Sequence, residues 1–412
     1  MRAYERFLHY VSYDTQSDSA SQSVPSTSKQ KILGAELVQE LQTLGLSDAR
    51  MDDSGYVYAT LPASAGYEQV DPVALIAHMD TAMDMSGADI KPRIVKNYDG
   101  GDILLNQKLG ITTRVSDFPE LKRYVGEDLI VTDGTTLLGA DDKAGIAEII
   151  TMAEELLAHP EKPHPPVKLV FTTDEEIGRG VDHLDLEQVG ARRGYTVDGG
   201  AVGDLKYENF NAASAQVTIH GITAHTGYAK GILRNATLLA MEFHAMLPIF
   251  ENPACTENRE GFYHLDRLEG RTELAELHYI IRDHDMGIFQ RRKQLMEQAA
   301  AYLNEKYGNG TVELKIEDSY YNMYEQIRPH YNLVEYAAQA MRICGVEPVS
   351  EPPIRGGTDG SRLSYMGLPS PNLCTGGHNG HGRHEFVSIQ SMDKVVEILV
   401  ALMGIYANEG SN

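Results

Sequence analysis

Three cysteines in 412 residues, Cys255, Cys344 and Cys374, lie far apart and form no C-x-x-C pair. An odd, scattered set argues against a disulfide framework and fits a reducing compartment. Long hydrophobic runs are missing too: nowhere do about 18 apolar residues follow one another, so no bilayer-spanning helix is expected. The opening residues, MRAYERFLHYVSYDTQSD, interrupt every apolar stretch with Arg, Glu, His or Asp, and no secretion signal is expected there. Basic side chains are scarce. Thirty-six Lys and Arg oppose 59 Asp and Glu, for a net charge of −23. Such a surface repels phosphate backbones and anionic lipid, which argues against nucleic-acid or membrane partners. What is present, 42% hydrophobic and 23% charged residues, is ordinary for a globular chain of two or three domains. A cytoplasmic protein is the expectation.

The apolar pattern has two textures. Residues 1–14 and 29–45 carry helical periodicity and flank a Ser-rich loop at 17–28. The runs at 72–80, 167–176 and 194–200 begin apolar and end in His or acidic residues, while 141–159 opens with two Asp and continues at helical spacing. Strands apolar on both faces, alternating with helices, predict an α/β domain with a mostly parallel sheet and helices on both faces. Ligands of such sheets bind beyond the carboxyl ends of the strands. From about 211, the segments 215–225, 276–285 and 311–321 alternate polar and apolar residues, with helical stretches at 235–247 and 289–308. That pattern predicts a smaller α+β domain. After about 322 the first texture returns, with a helix at 333–344, a Gly-rich loop at 355–360 and a last helix near 390–407. The expected organisation is a larger α/β domain, 1–210 and 322–412, interrupted by an α+β domain at 211–321.

Five stretches place acids or histidines at strand ends or in adjoining loops: His78 and Asp80, Asp141 and Asp142, Glu175 and Glu176, Asp198, and His381 with His384. Each alone has a plainer reading. A strand-end His is commonly a surface or satisfied core residue, Asp141 and Asp142 fit a helix cap, paired Glu fit a solvated turn, and Asp198 before two glycines fits an ordinary turn. Together they say more. Carboxylates converging at one sheet end repel unless a cation lies between them. Imidazole and carboxylate are the ligands of zinc and similar divalent ions, and three carboxylates with two histidines suit two metals sharing a bridging group.

The same stretches, in order, resemble the M20 family of metallopeptidases. The resemblance runs from ERFLHYVSYDTQS through TDGTTLLGADDKAGIAEI, YTVDGG, ENFNAASA, HYIIRD, EDSYYNM and IRGGTDG to HEFV, over essentially the whole chain. It implies two zinc ions per subunit, with other divalent metals fitting as well: His78 and Asp198 on one, Glu176 and His381 on the other, and Asp141 bridging. His381 is the matching histidine because it stands four positions before Glu385; His378 and His384 are its neighbours. Glu175 matches the family's general base, Asp80 the acid that orients His78, and His225 a histidine that donates to the developing oxyanion. A cis peptide between Asp141 and Asp142 is implied too.

For activity, the resemblance implies an aminopeptidase that removes the N-terminal residue of tripeptides, working as a homodimer whose inserted domain serves as lid and dimerisation surface. Arg282 and Arg355 are candidates for the substrate carboxylate, since guanidinium grips carboxylate through two parallel bonds. A surface salt bridge is the plainer reading of either. Thr226, Tyr228 and Thr173 depart from the family pattern, which touches specificity more than catalysis. An M20-type dipeptidase or N-acyl amino acid deacylase is the alternative, and a non-catalytic binding protein would be expected to have lost a ligand or the base.

Overall fold

Four parallel strands form the middle of a seven-stranded sheet: Val167–Thr172, Val73–His78, Gly194–Gly199 and Asn372–Cys374, side by side in that order. Antiparallel strands flank them, Val57–Leu61 and Arg50–Met51 on one side and Leu205–Lys206 on the other. The structure, a computed structural model, describes residues 1–409. Val73–His78 is buried at all six positions. Its Val, Leu, Ile and Ala side chains leave no polar face, because the sheet is covered on both sides. The chain goes from Val73–His78 to a neighbour on one side, Val167–Thr172, and then to its neighbour on the other, Gly194–Gly199. A crevice opens where connections diverge in this way, beyond the carboxyl ends of the strands. His78 and Asp198 stand at those ends.

The helix Ala140–Ala158 packs on this sheet, but its first turn is not helical. Asp141 (φ −82°, ψ 101°) and Asp142 (φ −123°, ψ 29°) lie outside helical geometry, and the peptide joining them is cis. Gly145 lets the helix approach Gly194–Gly199 closely, since a Cβ there would sit 2.0 Å from the Val197 carbonyl oxygen. The start of the helix is thereby held beside Asp198.

A smaller four-stranded sheet orders Gly377–His378, Phe386–Ser388, Leu129–Val131 and Arg93–Val95, all antiparallel. Nothing in the alternation of these two- and three-residue strands marks them in the sequence. All of this belongs to one unit, comprising Met1–Tyr207, Glu325–Glu351 and the chain from Thr358.

The second unit comprises Glu208–Tyr324 and Pro352–Gly357. Its sheet orders Phe262–Gly270, Leu274–Asp283, Asn211–His220 and Val312–Tyr320, again all antiparallel. Leu274–Asp283 alternates half-buried and buried positions along all ten residues. The buried side, with Leu277, Tyr279 and Ile281, joins Phe243 from Ala236–Ala245 and Phe289, Met296 and Leu303 from Met286–Tyr307. Helices thus cover one face. Short segment 352–357 belongs to this unit, although the alternating texture predicted its end at 321. Ile354 pairs with Asn209 as an isolated parallel bridge, which ties the segment in. Among the described residues, no helix is long and apolar enough to cross a membrane.

Candidate metal centre

Five side chains from remote parts of the first unit meet as two overlapping trios, His78 with Asp141 and Asp198, and Asp141 with Glu176 and His381. Within each trio the ligating atoms all lie within 4.8 Å of one another. His78 Nε2 is 3.0 Å from Asp141 Oδ1 and 3.7 Å from Asp198 Oδ1. His381 Nε2 is 2.9 Å from Glu176 Oε2 and 3.4 Å from Asp141 Oδ2. Asp141 therefore turns one oxygen to each trio, the geometry a bridging carboxylate requires.

The fold explains each placement. His78 and Asp198 end neighbouring parallel strands, and Asp141 precedes the helix that Gly145 brings against them. Glu175 and Glu176 follow the strand Val167–Thr172 in the 3₁₀ turn Glu175–Ile177, entered through Asp174 at φ 60°. Two anchors hold that turn. The Asp80 carboxylate accepts the Glu175 and Glu176 amides at 3.0 and 3.2 Å. On the other side, Asp174 accepts from the Ser26 amide and from Gln30 Nε2, both at 2.6 Å, and its own amide donates to Gln30 Oε1. His381 also adopts a left-handed backbone, φ 65°. Non-glycine residues held there are uncommon and gather at functional sites.

The histidine beside Asp80 is oriented more by backbone than by carboxylate. His78 Nδ1 lies 3.1 Å from the Asp80 carbonyl oxygen and 3.4 Å from Asp80 Oδ1. A carbonyl accepts only, so Nδ1 carries a proton, which leaves Nε2 as the nitrogen that would face a metal ion. Asp80 thus supports the His through its main chain and the glutamate turn through its side chain. His378 and His384 point elsewhere: His378 bonds the Tyr124 hydroxyl and stacks on Phe386, and His384 Nδ1 meets Thr113 Oγ1 at 2.9 Å.

The electrostatics suit a cation. Among the described residues, the recorded ion-pair partners of Asp141, Glu176 and Asp198 are the two histidines alone. Hydrogen bonds to Asp141 and Glu176 raise His381 to about 11. His78 is also raised well above its ordinary value, because bonds to Asp141, Asp198 and Asp80 outweigh burial. Burial pushes Glu176 up to about 7 and raises Asp198 and Glu175. Asp141 is held below the usual carboxylate range; burial opposes this, and the bonds from His381 and His78 prevail. Among the described residues, Glu176 Oε1 is buried without a hydrogen-bond partner. Metal ions displace protons from such ligands. Zinc–nitrogen and zinc–oxygen bonds of about 2.1 Å in a tetrahedron put donors roughly 3.4 Å apart, close to the separations here. The residues fit a pair of divalent ions.

The remaining candidates lie in the second unit. His225 is exposed, accepts the Gly227 amide on Nδ1 at 3.1 Å and meets the tilted ring of Tyr228 with centroids 5.2 Å apart. Arg282 donates from Nη1 to the Ile281 carbonyl at 3.0 Å, and its guanidinium lies 5.3 Å from the Tyr320 ring centre. Arg355 donates to the carbonyls of Asn258 and Glu260 at 2.7 and 3.0 Å and to Thr256 Oγ1 at 3.1 Å, with its guanidinium beside the rings of both Phe210 and Phe262. That set of bonds holds the loop 256–260. Sequence reading passed over Asp174, Ser26 and Gln30; the one signal was the acid directly before the paired glutamates.

Comparison with known proteins shows the family. The model of the peptidase family M20/M25/M40 matches residues 133–404. A peptidase T of Caldanaerobacter subterraneus subsp. tengcongensis is 53% identical over 406 residues, covering 98% of this chain and 99% of its own. Among solved structures, the aminopeptidase PepT of Bacillus cereus superposes with a TM-score of 0.76 at 24% identity, covering 98% of each chain. A tripeptidase of Staphylococcus aureus does so with 0.76 at 23%, covering 99% of this chain and 98% of its own. A dinuclear metal-binding M20 peptidase of Bacillus subtilis gives 0.64 at 13%, covering 98% and 99%. Identity above one half along almost the full length of a peptidase T leaves one conclusion: the chain belongs to the M20/M25/M40 peptidase family, within its peptidase T group.

Proposed function

We propose that the protein is a dinuclear metallo-aminopeptidase that removes the N-terminal residue of tripeptides. One observation carries the reading: Asp141 offers one oxygen to each of two donor trios at the carboxyl ends of parallel strands. His78 and Asp198 would hold one ion, Glu176 and His381 the other, and Asp141 both. Zinc suits the ligand set, and other divalent ions fit it too. When bound, such ions acidify water and polarise a carbonyl oxygen. Glu175, held by its amide on Asp80, takes the proton of the attacking water on its carboxylate and delivers it to the departing amine nitrogen. His78 keeps its Nδ1 proton on the Asp80 carbonyl, so that Nε2 stays a donor atom. His225, as a donor to the oxyanion, and Arg282 and Arg355, as partners of the peptide's terminal carboxylate, complete the proposal.

The names of the compared proteins support the substrate class: peptidase T, an aminopeptidase and a tripeptidase. A panel of di-, tri- and tetrapeptides and N-acyl amino acids, assayed with chelator and after zinc is restored, tests it. Tripeptide-selective release of the first residue, lost on chelation and regained with zinc, is expected. Preference for a dipeptide or an N-acyl amino acid would replace the reading with the corresponding M20 activity. We also propose a cytoplasmic location, which the three free thiols suit, and a homodimer, which sedimentation equilibrium would distinguish from a monomer.

A further inference from the structure

Glu385 belongs to neither trio, yet it is bonded beside both. It is 2% exposed, and its carboxylate accepts three backbone amides: Leu138 at 2.6 Å and Gly139 at 2.8 Å on Oε2, and Asp141 at 3.0 Å on Oε1. The small sheet explains how it arrives there. Phe386, the next residue, pairs with Val131, whose strand runs on into the loop that ends at Asp141. The hairpin Gly377–His378 to Phe386–Ser388 carries His381 in its turn and Glu385 at its base. Gly380 completes the approach, since a Cβ there would stand 3.0 Å from Asp141 Oδ2. One buried carboxylate therefore ties the hairpin of one ligand to the loop of the ligand common to both trios. Gly139 takes a left-handed φ of 80°, and Asp141 departs from helical geometry, so the loop lacks the regular bonds of a helix start. Glu385 supplies them instead.

We propose that Glu385 is a positioning residue that sets Asp141 between the two metal ions, so that a single side chain outside the ligand set controls the affinity of both. The proposal rests on the dinuclear reading above. Its chemistry demands a carboxylate. Two oxygens can accept three N–H groups, whereas the amide of Gln would set its own NH₂ against at least one of them. A residue that merely filled space would be replaced by Gln with little change.

Titration of the metal-free enzyme with Co²⁺, followed by visible absorption and calorimetry, tests this with wild type and Glu385→Gln. Wild type should bind two equivalents. In Glu385→Gln both affinities should fall together by roughly 10–100-fold, the usual effect of losing an outer partner of a ligand. kcat should recover largely at saturating Co²⁺, with KM for a tripeptide little changed. Wild-type affinities in the variant, or weakening of one site alone, would overturn the proposal. A second measurement covers a variant that does not fold: amide exchange of chelated wild type. The amides of Leu138, Gly139 and Asp141 should exchange slowly without metal, and exchange at unprotected rates would overturn the proposal. If wild type binds fewer than two Co²⁺, the dinuclear reading itself fails, which is a different result from two tight sites that ignore Glu385.

Discussion

Val73–His78 is buried at every position, whereas Leu274–Asp283 alternates along its whole length. The first strand lies in a sheet covered on both faces, and the second in a sheet with helices on one face only. A strand with no solvated face has room for polar groups only where it ends, so the first unit concentrates its acids and histidines beyond His78, Thr172 and Asp198. A half-open sheet spreads polar side chains along its free face. Among the described residues, both potential metal-binding trios lie in the first unit. Substitutions at the strand ends should therefore change chemistry, and buried polar substitutions in the second unit should change stability alone.

The sharpest test of that contrast is Glu175→Gln. It should lower kcat by about 10²–10⁴ while two metal equivalents still bind, the scale on which general-base catalysis operates. Turnover equal to wild type would remove Glu175 from the mechanism. Asp141→Ala should abolish binding of both ions, whereas His78→Ala and His381→Ala should each impair one. Equal stoichiometry in all three, read by metal analysis after dialysis, would contradict a shared carboxylate.

In the second unit, Arg292 pairs with Asp283 at 2.7 Å and with Glu251, and both Arg292 and Asp283 are buried. Arg292→Ala leaves an unpaired buried charge and should destabilise that unit by about 3–5 kcal/mol. Denaturation curves should shift with Co²⁺ affinity unchanged. Loss of metal binding along with stability would blur the division between the units.

The smallest effect concerns Glu148 in Ala140–Ala158. It is fully buried, neither of its oxygens has a hydrogen-bond partner among the described residues, and burial raises it well above its ordinary value. In the unfolded chain it ionises near 4.3. Above that pH the native state holds a proton that the unfolded state releases, so stability falls as pH rises toward the folded value. Below about pH 4 the contribution is complete. Glu148→Gln lacks this dependence, and the variant should gain on wild type by up to about 1.4 kcal/mol per pH unit between pH 5 and 7. Parallel melting curves of the metal-free proteins at pH 5, 6 and 7 would show that Glu148 ionises freely when folded.

Much of the fold was legible because burial leaves a direct mark on composition. The apolar runs at 72–80, 167–176 and 194–200 correspond to Val73–His78, Val167–Thr172 and Gly194–Gly199. Alternation located Asn211–His220, Leu274–Asp283 and Val312–Tyr320, each a few residues from the expected bounds. Phe262–Gly270 was missed, since most of its positions are half-buried or exposed and carry no alternation. The small sheet of Gly377–His378 and its neighbours was missed because two or three residues are too few to show a period.

Some resemblance motifs serve the framework rather than the metal centre. In ENFNAASA and EDSYYNM, the Asn209 and Asn211 side chains accept the Met323 and Asn322 amides at 2.8 and 2.9 Å, and Asn322 Oδ1 accepts the Asn209 amide at 3.2 Å. These three buried asparagines satisfy backbone groups where strands enter and leave the second sheet.

Sequence alone determined the kinds of atoms available, imidazole and carboxylate without thiolate, and the strand ends on which several of them stand, because hydrophobic periodicity is local. Which oxygen of Asp141 faces which histidine, that Asp80 serves His78 mainly through its carbonyl, and that Glu385 joins two loops was decided only in three dimensions. The Asp141 and Glu385 contacts join atoms tens to hundreds of residues apart, and the His78–Asp80 contact, though only two residues long, depends on a side-chain orientation that hydrophobic periodicity does not encode.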